Sequence, residues 1–416
     1  MKILFSIVIL ITMAMGQFNY MGSIKLRKMY RISDQSDISL PFRLAESELG
    51  YSWGEFELKT NTALEYRWAN NENELQIREA YLIWFPSWGE MKVGKQIHAW
   101  GVVDGNNPTD NLNPYDYYYM FSAGTDRKIG TNSASINLYW NDWQVEGVLI
   151  PKHEGNRFPF GEVDFPIPMD NPEELVKKAN TSNEYGLRLQ GAAGNSDISL
   201  SYFMGRDRGF THSGYNSDLE MVSPIFFYRK TNVLGFDMVS FIGDITGRIE
   251  AGYYKTENDY ETDFSILRDA TYLQYVAQLE YATPNDIMIM GQIIGNEILE
   301  LNGTSFVFGS NGIPTETPMA VDNFQPGMGT PFAMFTDLGM MLSVSGNYLD
   351  NALEFRGNSF SDLKDNQSML GCDISYSSIE NWDLQLSITY FFGEEGTRFK
   401  EMDDFSHLRL DLGYHF

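Results

Sequence analysis

The chain has 416 residues, of which 43% are hydrophobic and 14% aromatic, and its formal net charge is −26. So negative a balance argues against nucleic acid as a partner, because phosphate binding needs a basic surface. The single Cys372 excludes an intrachain disulfide, and His98, His153, His212, His407 and His415 are too scattered to suggest a metal site.

At the start, Met1-Lys2 precedes an apolar run from Ile3 to Ile11, and Ala14-Met15-Gly16 offers small residues where a signal peptidase reads. The run is too short for a membrane span and lacks a stop-transfer flank. Residues 1–16 are therefore expected to be a secretory signal peptide, and residues 17–416 one domain. No Cys follows the cleavage site, which argues against a lipoprotein anchor. No later stretch is apolar for the roughly 18 residues that a transmembrane helix needs.

Eighteen segments read as strands: 20–30, 38–50, 56–68, 75–86, 90–100, 129–140, 143–151, 183–193, 197–207, 230–242, 245–256, 270–283, 286–298, 333–346, 350–361, 366–377, 383–393 and 404–416. Typical lengths of about 10–13 residues suit a tilted strand crossing a bilayer, about twice an ordinary globular strand. Alternation is clear in several. Phe56, Leu58, Leu64, Tyr66 and Trp68 share one face, while Glu57, Lys59, Asn61, Glu65 and Arg67 share the other. Charges on the inner face of a soluble sandwich are costly, but in a large barrel that face meets water. The last strand sets Leu408, Leu410, Leu412, Tyr414 and Phe416 against Arg409, Asp411, Gly413 and His415. A terminal aromatic after such alternation resembles the closing strand of an outer-membrane barrel. It implies lipid and the barrel-assembly machinery as partners.

The connections alternate in length. Short ones such as Asn141-Asp142, Gly243-Asp244 and Glu380-Asn381 suit tight hairpins. Long ones cover 101–128, 152–182, 208–229, 257–269 and 299–332, with 69–74 and 362–365 as shorter outer loops. The expected fold is an all-β, transmembrane, antiparallel up-and-down barrel of about 18 strands, with 16 as the alternative, short periplasmic turns and long extracellular loops. Within the fourth outer loop, Asn171-Pro172 through Lys177-Lys178 reads as a short capped helix.

Residues 75–121 are densest in unusual features. By strand parity Gln76 and Arg78 share a face, as do Lys92, Gly94, Gln96, His98 and Trp100, and these would line the lumen. Glu79 and Lys95 fall on the opposite parity. A charge facing lipid costs about 2–4 kcal/mol at mid-bilayer, so a bulge re-aims them or they lie near an interface. The plainer reading is that Arg78, Glu79, Lys95 and Asp104 pair to anchor the third outer loop to the wall. The loop continues through Asp110, Asn113, Asp116 and Tyr117, rich in side chains that build Asx-turns. Asp104, Asn106 and Asp110 offer oxygen ligands for Ca²⁺, but their spacing is not that of an EF-hand, and Asx-turn structure is the simpler reading. The aromatic run from Tyr115 to Phe121 suits either a slide for sugars and apolar solutes or a packed loop base. Arg188 and Arg248 complete the expected pore-lining set.

Arg78-Glu79-Ala80-Tyr81-Leu82, then Gly94-Lys95-Gln96, Trp100-Gly101, and Asn113-Pro114 with Asp116 together resemble the DUF1302 family of outer-membrane barrels in Gram-negative bacteria. Glu184 to Arg188 is similar to a second family stretch. Lys95 stands where Arg is common, and a lysine does not make a bidentate anion contact. The resemblance implies a channel or transporter barrel and no particular substrate.

The leading functional reading is a porin-like outer-membrane channel for passive diffusion of small solutes, with loop 101–128 as the constriction. The alternative is a transporter for hydrophobic compounds with a plugged lumen. No plug domain precedes the barrel, which argues against TonB-dependent uptake. An outer-membrane enzyme needs a Ser, His and Asp set, and His98 has no evident serine partner in sequence; no cofactor or catalytic motif is present. A structural or adhesive barrel is the fourth reading, and a homo-oligomer is compatible with all of them.

Overall fold

The computed structural model describes residues 16–122, 124–166, 172, 175–179, 182–218, 221–308, 314–331 and 336–416. The expected signal peptide falls almost wholly outside these residues, as do residues 171, 173 and 174 of the short helix expected at 171–178; its described end is not helical, because Val176 bridges Phe226 and the Lys177 amide donates to the Phe226 carbonyl.

Twenty-two strands follow in chain order: β1 (Gln17–Arg31), β2 (Phe42–Trp53), β3 (Phe56–Tyr66), β4 (Asn73–Trp84), β5 (Gly89–Gln96), β6 (Thr131–Trp140), β7 (Trp143–Ile150), β8 (Glu184–Ala193), β9 (Ser196–Arg206), β10 (Thr211–Asp218), β11 (Met221–Phe227), β12 (Lys230–Ile242), β13 (Ile245–Glu257), β14 (Phe264–Ser265), β15 (Arg268–Ala282), β16 (Ile287–Phe308), β17 (Pro314–Pro318), β18 (Leu338–Tyr348), β19 (Leu353–Asp362), β20 (Gln367–Tyr376), β21 (Trp382–Gly393) and β22 (His407–His415). Eighteen of them, all but β10, β11, β14 and β17, pair antiparallel with their neighbours around a ring. β22 pairs with β1 from Ser23↔His415 to Arg31↔His407, which closes it, and Gly22 and Phe416 exchange backbone hydrogen bonds beyond that ladder. A spanning sheet has no other option, because an unpaired edge has no water to satisfy it in hydrocarbon.

The period-two pattern sorts the side chains as the sequence implies. Leu200, Leu234, Leu279, Leu386, Leu410 and Leu412 point outward and are exposed, whereas Arg188, Asp237, Glu250 and Asp411 point inward and are buried. At the short-turn end, outward aromatics stack in a row, Tyr51–Trp53, Trp53–Phe56 and Phe56–Trp84, with ring centroids 5.5, 5.9 and 6.3 Å apart. Trp382 and Tyr414 continue the girdle on the other side of the seam. This girdle borders an apolar band, the pattern of a barrel embedded in a bacterial outer membrane. The tight turns place Asn141, Gly194, Gly243 and Asn381 at positive φ, as the hairpin residues suggest.

Two departures from the expected strands are informative. The strand expected at 90–100 stops at Gln96, and the chain turns into the barrel from there. Segment 208–229, read as loop, contains the β10–β11 hairpin, which pairs with β14 outside the barrel wall. A lipid-face charge should be costly here: Leu200→Arg, near the middle of β9, is expected to lower stability by about 2–4 kcal/mol. The lumen-face Gln190→Arg should change it little. Urea titration of the barrel refolded into vesicles measures both.

Candidate functional site

Loop 97–130 leaves the wall between β5 and β6 and crosses the barrel interior. On one side Arg43 of β2 donates to the Asp126 carbonyl (2.7 Å), Arg78 of β4 to the Thr125 carbonyl (3.1 Å), and the Tyr119 hydroxyl to Glu65 of β3 (2.8 Å). On the other side the Asp104 amide donates to Gln278 of β15 (2.9 Å), and Asn106 Nδ2 to Gln292 of β16 (3.0 Å). β3 and β15 are the third and twelfth strands of the eighteen-strand ring, so the loop joins opposite walls.

The strongest tether is Glu250 of β13. Its carboxylate accepts the amides of Val102 (2.9 Å) and Thr109 (2.9 Å), the Thr109 hydroxyl (2.8 Å) and Asn107 Nδ2 (3.2 Å). A crossing loop cannot use a ladder, so its amides need side-chain acceptors. Small residues let it come close. A Cβ on Gly235 would lie 2.2 Å from Ser201 Oγ and 2.8 Å from Thr109, and one on Gly186 would lie 2.9 Å from both Trp100 and Leu112. Arg208 locks the outer side: its Nη2 sits 2.7 Å from Glu184 and donates to the Asn111 and Leu112 carbonyls, while Nη1 reaches the Glu154 carbonyl.

Most of the expected site residues gather at this crossing, as anchors. Arg78 lies 3.3 Å from both Glu46 and Asp126. Glu79 is re-aimed inward by a bulge, where Asn61 opposes Glu79 and Thr62 opposes Ile77, and its carboxylate accepts the Ile97 amide. Gln96 donates to the Ser133 carbonyl, Trp100 Nε1 to Glu146 (2.9 Å), and Asp104 accepts from Gln278 Nε2. Asp110 pairs with Lys128, Asp116 with Arg157 (3.0 Å), Arg188 with Asp237 (3.1 Å), and Arg248 with Glu280 (2.7 Å). Arg248 also donates to the Val102 carbonyl.

Lys95 is a correction. It opposes Ala80 and shares the outward parity of Met91 and Val93, so it lines no lumen and takes no part in anchoring. Its long stem lies on the wall near the outer end of a short strand, where an ammonium can reach polar surroundings. The aromatic run is a packed loop base: Asp116 caps the Tyr117–Tyr119 turn, Tyr117 stacks on Phe158 at 4.7 Å, and Tyr118 donates to Glu162. Asp104, Asn106 and Asp110 take separate partners, and no group of metal-ligating side chains occurs among the described residues.

His98 does have a serine. Its Nε2 lies 3.0 Å from Ser133 Oγ, and Nδ1 lies 3.8 Å from Glu146. The order is that of a hydrolytic triad, but the geometry is not. Ser133 is buried, its Oγ already accepts from Gln96, and it does not line the 340 Å³ chamber beneath the loop. The set positions the loop. Sequence reasoning missed Glu250, Gln278, Gln292, Arg208 and Lys128. Glu250 faces inward, but its partners lie more than 140 residues away in the chain.

No family model matches this chain, and no curated protein matches it in sequence. Solved structures do match in fold. OccK5 (OpdH) of Pseudomonas aeruginosa covers 97% of this chain and 99% of its own at 10% identity and a TM-score of 0.55. OccK11 (OpdR) of the same organism covers 96% of each chain at 12% identity and a TM-score of 0.53. A BenF-like porin from Pseudomonas fluorescens Pf-5 covers 96% and 98% at 10% identity and a TM-score of 0.55. At such identities the likeness is one of fold, and with the closed ring and its apolar belt it makes this chain an 18-stranded, porin-like barrel of the bacterial outer membrane.

Proposed function

We propose that the barrel is a porin-like channel for passive diffusion of small polar solutes, narrowed by loop 97–130. The observation that carries this reading is the attachment of that loop to opposite walls, so that a diffusing solute would pass between the loop and the wall side chains. Around that path the inward ion pairs Glu90–Lys92, Arg188–Asp237 and Arg248–Glu280 present both signs of charge. Paired charges on a wetted wall order water and disfavour apolar solutes. The DUF1302-like resemblance, assembly through the terminal strand and a homo-oligomeric state belong to the same proposal.

One observation favours the plugged transporter for hydrophobic compounds. Phe360, Met369 and Phe391 point inward from β19, β20 and β21, and Phe399, Met402 and Phe405 of segment 398–405 pack onto them as one apolar cluster. Single-channel conductance of the refolded barrel separates the readings. A steady conductance of about nanosiemens size, increased by deleting 104–119, supports diffusion. A closed barrel overturns the diffusion reading and leaves the apolar carrier.

The Glu250 tether makes a sharper test. Glu250→Ala strips the acceptor from five loop donors, each such charged bond contributing about 1.5–3 kcal/mol. Larger and noisier conductance is expected in the variant, with the wall intact by heat-modifiable gel mobility. Unchanged conductance would show that the tether does not set the aperture.

The outer lock should respond to pH. Burial holds His153 below its ordinary value of 6.5, against the hydrogen bond that its ring donates to Glu184, which raises it. The native ring is therefore neutral beside Arg208, and the opened state takes up a proton first. The contact is fully present above the ordinary value and is lost as pH falls below it through the lower native value. Proteolysis of segment 151–160 should quicken between about pH 7.5 and pH 5, and His153→Gln should flatten that change.

A further inference from the structure

The wall parts at the seam between β1 and β2. Their ladder runs from Gln17↔Ser52 and ends at Ile24↔Ala45, whereas β1 stays paired with β22 up to Arg31↔His407 and β2 with β3 up to Phe42↔Tyr66. The cause is local. A bulge between Arg43 and Ala45 bends the outer end of β2. The chain before it folds back on β1, where the Ile38 amide donates to the Met29 carbonyl (3.0 Å). Among the described residues, Lys25 to Lys28 therefore have no strand on their β2 side, a stretch of about 13 Å at roughly 3.3 Å per residue. The far edge of the same panel is short of a ladder too. β4 begins at Asn73, but its pairing with β5 runs only from Trp84↔Met91 to Ala80↔Lys95. Ladders thus fasten the outer part of β2–β3–β4 to the ring on neither side.

One side chain closes the seam. Trp68, just beyond β3, donates its indole N–H to the Arg27 carbonyl (2.6 Å). Its ring stacks on Phe42 at 5.8 Å and lies 5.5 Å from the Lys28 ammonium, yet the residue is 38% exposed. Tryptophan and lysine mark the level where hydrocarbon gives way to headgroups, and Leu26, next below on the outward face, is apolar and exposed. Behind the seam the interior is apolar rather than wetted. Met29 and Ile38 are buried, and with Leu40 they join the cluster built on Phe391, Phe399 and Phe405. Phe121 of the crossing loop meets the same rings, 6.0 Å from Phe391 and 6.4 Å from Phe405.

We infer that this parting is a lateral opening, with Trp68 as its door, through which a single acyl chain from the outer leaflet enters the apolar cluster. The inference goes beyond the channel reading and does not rest on it. The occupant follows from the surroundings. Lipid abuts the gap and apolar side chains lie behind it, so the part that enters is hydrocarbon. The polar head stays at the level of Lys28 and Trp68, because inside the cluster it would lose its water without gaining partners. Opening exchanges one hydrogen bond and one ring stack, whereas parting a paired seam breaks a run of ladder bonds.

The test is photolabelling of the refolded barrel in phosphatidylcholine vesicles that contain lysophosphatidylcholine with a diazirine at the end of its chain. Labelled residues are mapped by peptide mass spectrometry. Outward Leu26 and Tyr30 report chains that surround the barrel, and Met29, Ile38 and Leu40 report chains that have entered. Label on these three is expected in the unaltered barrel and several-fold more in Trp68→Ala. Trp68→Phe, which keeps a ring and loses the N–H, should fall between. Lys28→Cys with Trp68→Cys, in a Cys372→Ser background, lets a short bifunctional thiosulfonate bridge the door and a reductant release it. Bridging should remove the cluster label and reduction restore it in one folded sample, with the outward label unchanged. Label confined to outward residues, cluster label found only in Trp68→Ala, or cluster label that survives bridging would overturn the inference. The last result would show entry through the mouth instead. Conductance of the same samples keeps the two claims apart. A conducting barrel without cluster label loses the opening and keeps the channel, and a labelled barrel that does not conduct does the reverse.

Discussion

A backbone amide in hydrocarbon has no water to bond, and this constraint fixes the rest of the architecture. It forces the eighteen-strand ring to close through β1 and β22. Closure then makes an inside, and the strand period of two fills that inside with alternate residues. The acidic and basic side chains that would be intolerable in a soluble sandwich become the lining of a wetted lumen. One consequence is that any loop entering the lumen meets polar walls able to hold it.

Loop 97–130 uses that opportunity. It has no ladder, so its amides find carboxylate and amide side chains instead, Glu250, Gln278 and Glu79 among them. Its carbonyls take Arg78, Arg208 and Arg248. These bonds connect buried groups on distant segments, and each partner would be left unsatisfied if the other were removed. Such networks specify one arrangement because partial satisfaction is costly. The loop is therefore held at defined points around the ring, with glycines 186 and 235 giving it room at the wall.

The barrel was legible in the sequence because its signals are local. Alternation, turn residues and loop asymmetry each act within about ten residues, and they placed the eighteen wall strands to within a few residues at most ends. The bulge at Glu79 was anticipated for the same reason: a charge on the wrong parity demands a local remedy. Failures occurred where the deciding contact is remote. The alternation of Gln96, His98 and Trp100 continues past the true end of β5, because residues inside a lumen obey the same inward pattern whether on a strand or on a loop. Segment 208–229 hid a hairpin whose own ladder is local, from Thr211↔Phe227 to Asp218↔Met221; only its third strand, β14, is remote. Glu250 escapes notice altogether, since nothing near it in the chain shows that five loop donors converge there.

The loop divides the interior into two unlike compartments. The chamber beneath it is lined by Glu79, Glu90, Lys92, Glu146 and Arg188, each with a partner of its own: Lys92 for Glu90, Asp237 for Arg188, the Ile97 amide for Glu79 and Trp100 Nε1 for Glu146. The mouth above it is aromatic and carries the Arg268 guanidinium, which donates to the Met319 sulfur. On the proposed channel reading, a solute entering from outside would meet shape and apolar contact before the charged wall. This order has a physical logic. Apolar contact discriminates between ring-bearing and small solutes only where water is partly excluded, which a cavity roofed by loops provides and a wide wetted lumen does not. Charged pairs below, by contrast, hold their shape because each is satisfied, and on that reading they would let a polar solute pass without trapping it. The crossing loop is the boundary between the two environments, and its lower face is built from the same His98 and Trp100 whose alternation reads as a continuing strand.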